Sequence, residues 1–257
     1  MDALAYDRTG SGAPLALIHP LGAHRGVWKP VLGLLADHFD VIALDMPGFG
    51  GSPPLAENVP ATAANIAAAV RETLRFIDIE QTHVAGISLG GWAALELAKT
   101  DAALSVTTLC AAGFWRQALG PRPEVARTTV RRLLPVLRPL MQVGSARRAL
   151  LMGIMAHPEN VPADDAYALV RAYAEAVGFT RANREMRSGL FTGFDEIDVP
   201  ITMAWADRDR SVYPPENVPA GVDVRRLTDC GHVPTWDSPK QVAGVIREGA
   251  GRALTAH

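Results

Sequence analysis

The chain has 257 residues, of which 48% are hydrophobic and 20% are charged, and its formal net charge is −2. These values are ordinary for a folded globular protein, and they exclude extensive disorder and a strongly basic nucleic-acid-binding domain. No apolar run approaches the ~20 residues that a membrane span needs, and the first ten residues lack the apolar core of a signal peptide. With two cysteines, Cys110 and Cys230, we expect a reduced protein of the cytoplasm.

Six short apolar runs predict strands, at residues 15–19, 41–45, 82–86, 105–110, 201–206 and 222–227. Their residues are apolar nearly throughout, which is typical of strands that are covered on both faces of a sheet. Patterns with a helical period predict helices at 27–38, 62–77, 89–99 and 238–252. Because strands and helices alternate, the sequence predicts an α/β protein with a mainly parallel sheet.

Residues 114–193 break this alternation, because they contain no predicted strand. Helical patterns there are interrupted by several prolines. A long helical insertion between two strands of an α/β sheet predicts a lid. The sequence therefore divides into a core domain, residues 1–113 and 194–257, and a lid, residues 114–193.

The start of the predicted lid is strongly basic. Residues 114–150 contain one acid, Glu124, against eight arginines: Arg116, Arg122, Arg127, Arg131, Arg132, Arg138, Arg147 and Arg148. One hypothesis is that these arginines attract an anionic substrate, since a guanidinium binds carboxylate or phosphate with two parallel hydrogen bonds. The alternative is a solvated helix surface without a binding role. Both interpretations stay open at this point.

The clearest chemical signal is Gly86-Ile87-Ser88-Leu89-Gly90-Gly91, between a predicted strand and a predicted helix. A serine on so sharp a turn projects its hydroxyl away from the sheet, and glycines two residues away on either side allow the strand and helix to approach closely. A glycine-rich connection with an incidental serine is the alternative. The strand-to-helix context favours Ser88 as a nucleophile.

A serine nucleophile needs a base and an acid that orients the base. Of the seven histidines, His232 follows the last predicted strand, at the edge of the sheet where Ser88 should lie. Two acids, Asp207 and Asp209, follow the strand 201–206. We favour Asp209, because it lies further into the loop and can reach toward His232. The chain order Ser, Asp, His is the expected one.

These residues resemble the α/β-hydrolase superfamily over essentially the full chain, and in particular its small lidded esterases, lactonases and carbon–carbon hydrolases. Residues 86–91 match the family's turn around the nucleophilic serine, and Gly231-His232 matches its Gly-His element. The family's aromatic-Gly-x-x-Asp motif is similar to residues 205–209, with Ala206 for glycine, and selects Asp209. The family's Asp-x-x-Gly-x-Gly-x-Ser loop resembles residues 45–52, which we interpret as structural. The resemblance implies the α/β-hydrolase fold, a mainly parallel central sheet flanked by helices.

The resemblance also implies an oxyanion hole made by the backbone N–H groups of Leu21 and Leu89. The first loop departs from the family's His-Gly pattern, since it reads His19-Pro20-Leu21-Gly22. Proline has no N–H and fixes φ, so the loop around Leu21 can differ from the glycine form. A similar Leu-Gly element occurs in enol-lactonases. We expect His19 to be a structural hydrogen-bonding residue.

Three classes of function compete. The first is a serine hydrolase of a carboxylic ester, lactone or thioester that acts through an acyl-enzyme on Ser88. The second is a carbon–carbon bond hydrolase with the same three residues, and the third is a non-catalytic binding protein on this fold. The presence of Ser88, Asp209 and His232 together favours an enzyme. We expect an ester-like small-molecule substrate, anionic in one interpretation, and no metal or cofactor.

The insertion also predicts a mainly apolar acyl site under the lid. It is rich in large apolar side chains, which must partly wall a pocket if the lid covers Ser88. Packing between the lid helices is the alternative for most of them. The residues concerned are Leu133, Leu134, Leu137, Leu140, Met141, Leu151, Met152, Ile154 and Met155.

Overall fold

A seven-stranded sheet lies at the centre of the computed structural model, which describes residues 3–120 and 124–255. In chain order its strands are β1 (Tyr6–Gly10), β2 (Ala13–Ile18), β3 (Phe39–Leu44), β4 (Thr82–Ile87), β5 (Ala103–Leu109), β6 (Ile201–Ala206) and β7 (Asp223–Leu227). Across the sheet the order is β1-β3-β2-β4-β5-β6-β7. Strand β1 runs antiparallel to β3, and the other neighbouring pairs are parallel. The mainly parallel α/β sheet that the sequence predicted is therefore confirmed.

Helices cover both faces of this sheet. They are α1 (Lys29–Ala36), α2 (Ala63–Phe76), α3 (Leu89–Ala98), α4 (Val125–Leu140), α5 (Gly144–Leu151), α6 (Ala163–Glu175), α7 (Phe179–Ser188) and α8 (Pro239–Thr255). Helices α2 and α3 belong to the apolar core on one face, and α1 and α8 belong to the core on the other. Both faces of the central strands are thereby removed from water, which is why their sequences are continuously apolar. Among the described residues, no helix is both long and apolar enough to cross a membrane.

The six strands predicted from the sequence all occur, and their ends move by at most two residues. The seventh, β1, was not predicted, because four of its five residues are exposed and its composition is polar. An edge strand needs only main-chain hydrogen bonds to one neighbour, so its side chains can face water. Arg8 of β1 additionally binds Asp40 of β3, with Nε and Nη2 donating at 3.0 and 2.6 Å.

Between β5 and β6 the described part of the chain forms helices α4–α7 and no strand. Leu134, Leu137 and Met141 of this segment are buried in the same apolar core as α1 and α8. The segment is also held by polar contacts, since Lys29 Nζ on α1 donates to Asp165 on α6 at 2.8 Å. Helices α4–α7 therefore pack on the sheet domain as a continuous part of the molecule. The division at residues 113 and 194, and the function as a lid, stay predictions.

Candidate active site

Ser88 lies on the turn between β4 and α3, with φ 54° and ψ −118°. A positive φ is rare and costly for a residue with a side chain, and it persists only where neighbouring structure enforces it. Here the Ser88 N–H donates to the Leu109 carbonyl at 3.0 Å, and the Ser88 carbonyl accepts from the Ala112 N–H at 3.0 Å. The main chain of β5 and its following loop thus holds Ser88 in this conformation.

The glycines on either side of Ser88 are required by close backbone contacts. A Cβ on Gly86 would lie 2.1 Å from the Gly90 carbonyl oxygen, and a Cβ on Gly90 would lie 2.3 Å from the Ile18 carbonyl oxygen. Both distances are far below van der Waals contact. The absence of side chains therefore lets α3 start directly beside β2 and β4, and it places Ser88 at the positive end of the helix dipole.

His232 and Asp209 form a hydrogen-bonded pair. His232 Nδ1 lies 2.7 Å from Asp209 Oδ2, and the Asp209 side chain is only 3% exposed. Its other oxygen, Oδ1, accepts from the N–H groups of Ser211 at 2.6 Å and Val212 at 3.2 Å. Burial by itself raises the pKa of Asp209, but the hydrogen bond from His232 and these backbone N–H groups lower the pKa below its ordinary value. A carboxylate on Nδ1 holds the proton there and leaves Nε2 as the basic nitrogen.

Asp207, the competing acid, has other contacts. Its Oδ1 accepts from the Cys230 N–H at 3.3 Å, and its Oδ2 lies 3.6 Å from Arg226 Nη2. Although burial acts to raise the pKa of Asp207, hydrogen bonds from the backbone of Asp229 and Cys230 lower it. Of the two acids, the structure places Asp209 on His232 and uses Asp207 to join the loops after β6 and β7.

The loop that carries Leu21 forms a tight turn despite the proline. The Pro20 carbonyl accepts from the Ala23 N–H at 3.1 Å, and Gly22 has a φ of 78°. Leu21 lies beside the cavity that contains Ser88, and Leu89, the other predicted oxyanion residue, is the first residue of α3. The N–H groups of the first helical turn lack partners within the helix, so the Leu89 N–H is free of an intrahelical bond.

His19 has the structural contacts expected of it. It is fully buried, its Nδ1 lies 2.8 Å from the Pro20 carbonyl oxygen, and its Nε2 accepts from the Met46 N–H at 2.9 Å. Both ring nitrogens are thus used to join the loops after β2 and β3. Burial lowers the pKa of His19 to about 4, which keeps the ring neutral near pH 7.

Two cavities meet at His232. The polar cavity, of about 440 Å³, contains Ser88 and is bordered by Glu124, Asn183, Arg187, Arg210 and Ser211. The apolar cavity, of about 380 Å³, is bordered by Val130, Leu151, Ile154, Met155, Val170 and Val233. Both touch Leu21, Ala126, Tyr173 and His232. Two chemically different spaces therefore lie beside His232.

Ser88 and His232 both line the polar cavity, but no hydrogen bond joins their side chains in the described chain. Contacts of this kind are often long in a free enzyme and tighten in the substrate complex. Three of the nine apolar residues that the sequence assigned to the predicted lid, Leu151, Ile154 and Met155, line the apolar cavity. Others are buried between helices or exposed; Leu140 and Met152, for example, are 46% and 51% exposed.

Asp237 is a residue of the site region that the sequence analysis missed. Its carboxylate accepts three backbone N–H groups, from Gly231 at 2.8 Å, Ala156 at 2.9 Å and His157 at 2.7 Å. Gly231 directly precedes His232, whereas Ala156 and His157 follow α5. One side chain therefore ties the histidine loop to the helical segment, and no local sequence pattern signals a contact over 80 residues.

Cys110, a free and buried cysteine, lies beside the predicted acid. Its sulfur, an Asp209 oxygen and a His232 nitrogen all lie within 4.8 Å of one another. Burial, and then the charge of Asp209, raise the pKa of the Cys110 thiol, so the thiol stays protonated next to the carboxylate. Such ligand types can bind a transition metal, but the hydrogen bond between Asp209 and His232 already engages two of them.

Comparison with known proteins identifies the family of this chain. A model of the alpha/beta hydrolase family matches residues 15–245. The dihydrolipoyllysine-residue acetyltransferase component of the acetoin cleaving system of Cupriavidus necator is 30% identical, over 96% of this chain and 66% of its own length. The chain thus spans slightly less than two thirds of that relative.

Two further proteins are similar to the chain. The pimeloyl-[acyl-carrier protein] methyl ester esterase of Methylococcus capsulatus is 37% identical over 42% of this chain and 40% of its own length. A solved thermophilic esterase from Thermogutta terrifontis superimposes with a TM-score of 0.71 at 23% identity, over 97% of this chain and 93% of that one. The family model covers strands β3–β7, most of β2 and every loop of the candidate site, and the chain therefore belongs to the alpha/beta hydrolase family.

Proposed function

We propose that the chain is a serine hydrolase that cleaves a carboxylic ester through an acyl-enzyme on Ser88. The observation that carries this proposal is the Asp209–His232 pair, joined at 2.7 Å, at the wall of the cavity that contains the strained Ser88. The relative from Methylococcus capsulatus, named as a methyl ester esterase, supports ester hydrolysis. A lactone or thioester would react by the same steps.

In the first half of the reaction, Ser88 Oγ attacks the ester carbonyl carbon while His232 Nε2 takes the hydroxyl proton. The carbonyl oxygen becomes an oxyanion, which the N–H groups of Leu21 and Leu89 bind. Asp209 stabilises the imidazolium through Nδ1. The intermediate then collapses, the carbon–oxygen bond to the alcohol breaks, and His232 gives its proton to the departing oxygen.

In the second half, water attacks the acyl-enzyme carbonyl and gives one proton to His232. A second tetrahedral oxyanion forms in the same place and collapses, which releases the carboxylic acid and returns the proton to Ser88 Oγ. Each step uses side chains and N–H groups of this chain, and the only reactants consumed are the ester and one water molecule. The net reaction is ester plus water to acid plus alcohol.

We also propose that helices α4–α7 act as the lid of this site. Each of them supplies residues to a cavity wall: Val130 of α4, Leu151 of α5, Val170 of α6 and Asn183 of α7. Both cavities would open to water without these helices. The two free, buried thiols, Cys110 and Cys230, are compatible with the predicted cytoplasmic location, which stays a prediction.

Replacement of Ser88 tests the proposal. Ser88→Ala should lower kcat for p-nitrophenyl butyrate by at least about 10³-fold, since the three residues act as a unit, and it should abolish labelling by a fluorophosphonate. Ser188→Ala, which removes an exposed hydroxyl on α7, serves as the matched control and should behave like the wild type. Full turnover by Ser88→Ala, in protein from an esterase-deficient host, would overturn the assignment.

A further inference from the structure

We infer that the site is built for an ester with one anionic arm and one apolar arm, and that Arg187 and Arg210 bind the anion in the polar cavity. The inference rests on the proposed function, because it assumes that the ester carbonyl reacts at Ser88. Arg187 comes from α7 and Arg210 from the loop after β6, so two separate elements bring a guanidinium to the same space as the nucleophile.

The balance of charge in the polar cavity favours an anion. Its one acidic lining residue among those that the structure describes is Glu124. That carboxylate already accepts from Arg127 Nη1 at 2.9 Å and from the Thr180 hydroxyl at 3.1 Å. Arg187 and Arg210 line the cavity, and no carboxylate of the described residues forms an ion pair with either of them. Asn183 and Ser211 add polar groups beside them.

The neighbouring arginines on the same two elements are used differently. Arg184 on α7 pairs with Glu185 at 3.0 Å, and Arg208, in the loop of Arg210, pairs with Asp229 at 2.7 Å. Arg187, in contrast, donates from Nε to the Gly120 carbonyl at 2.8 Å. This bond orients the guanidinium and leaves both of its Nη groups without a hydrogen bond to any residue that the structure describes. Arg210 has no hydrogen bond or ion pair to any residue that the structure describes. Of these four arginines, the two at the cavity are thus the ones that remain available for a ligand.

The apolar cavity accounts for the other arm. It meets the polar cavity at Leu21 and His232, where the oxyanion and the departing oxygen of the proposed reaction lie. Its walls of aliphatic side chains favour a hydrocarbon chain, which gains free energy when it leaves water. An ester centred on Ser88 thus extends one arm into each cavity.

The proposed anion site differs from the one that the basic stretch, residues 114–150, suggested. None of the arginines of residues 114–150 that the structure describes lines the polar cavity, and Arg122 lies outside the described residues. Arg127 instead donates to the carbonyls of Tyr173 and Ala176, and Arg147 to that of Met141. Part of the basic stretch holds the helical segment together, while the arginines beside Ser88 come from later in the chain.

The test compares esters that differ only in charge. One pair carries the charge on the acyl arm: p-nitrophenyl hydrogen suberate against the same ester with its free acid capped as a primary amide. The other carries it on the alcohol arm: the hexanoyl ester of p-hydroxybenzoate against that of p-hydroxybenzamide. In at least one pair, kcat/KM of the wild type should favour the anion by about tenfold, the value of a charge-assisted hydrogen bond.

Arg187→Gln and Arg210→Gln should each remove most of this preference, because each should lower kcat/KM for the anionic ester far more than for its neutral partner. Arg184→Gln and Arg208→Gln, on the same two elements, should retain it. Added salt should lower the preference in the wild type, because exposed charges are screened. No preference in either pair, or a preference that survives the double variant Arg187→Gln/Arg210→Gln, would overturn the inference. Ser88-dependent turnover of the neutral esters reports on the proposed function separately.

Discussion

Asp207 and Asp209 are two residues apart at the end of β6, but their environments differ. The Asp209 side chain is almost completely buried against His232, whereas Asp207 holds a loop N–H and lies near Arg226. Desolvation makes a charged hydrogen bond stronger, so the Asp209 contact should matter far more for the imidazole than any long-range effect of Asp207.

This difference predicts the outcome of a matched pair of substitutions. Asp209→Asn should lower kcat by about 10³-fold or more, because an amide can bind the wrong imidazole tautomer. Asp207→Asn should change kcat by less than about threefold, since the loop hydrogen bond can be kept by the amide oxygen. Steady-state kinetics on one ester decides between them. A severe loss in Asp207→Asn with a mild one in Asp209→Asn would assign the acid to Asp207.

At the scale of elements, Asp237 couples the helical segment to the histidine loop. Its three hydrogen bonds of 2.7–2.9 Å all use backbone N–H groups, so they fix the path of the main chain on both sides. A second contact reinforces them, since the Val233 N–H donates to the Ile154 carbonyl at 2.8 Å. His232 is therefore positioned partly by the segment that follows α5.

We predict that Asp237→Ala lowers both stability and turnover. Loss of the carboxylate leaves three partly buried N–H groups without acceptors, at a cost of about 1–3 kcal/mol of unfolding free energy. The loosened histidine loop should reduce kcat by about tenfold while KM changes little. Asp237→Asn, which keeps one acceptor oxygen, should recover part of kcat, and Asp195→Asn, an exposed acid, is the control. Urea unfolding and kinetics check this; a fall in stability with unchanged kcat would leave Asp237 with a structural role only.

The sequence predicted the elements whose character is set locally, and it missed those set by distant contacts. The central strands were found because burial on both faces makes them apolar, and the serine turn because its glycines are needed by its own backbone. Strand β1 was missed because Arg8 and its neighbours face water. Asp237, Arg187 and Arg210 were missed because their roles depend on how α4–α7 pack over the sheet, which no local pattern encodes.

At the scale of the whole molecule, buried and half-buried histidines tie stability to pH. Burial lowers the pKa values of His19, His24 and His83, and it lowers that of His19 to about 4. The unfolded chain protonates near the ordinary value of about 6.5. Protons therefore bind the unfolded state preferentially below that pH, so stability is complete above about 6.5 and declines as the pH falls toward 4.

We predict that His19 dominates this decline and accounts for up to about 3 kcal/mol of it. His19→Gln keeps an acceptor for the Met46 N–H but has no ionisable ring, so its unfolding free energy should fall less steeply between pH 7 and pH 4.5. His38→Gln, at an exposed position, should follow the wild type. Urea denaturation at several pH values measures the slopes. Parallel curves for wild type and His19→Gln would show that His19 is not the group responsible.

The contacts that Gly86 and Gly90 make also limit how this chain can evolve. A clash with a neighbouring side chain can be relieved by a second substitution that shortens the neighbour. The atoms that a Cβ would meet here are carbonyl oxygens of Gly90 and Ile18, which every amino acid carries. No compensating substitution elsewhere can remove them, and only a shift of β2 or α3 could make room. Neither glycine can therefore be replaced by a neutral substitution as long as the turn keeps this geometry.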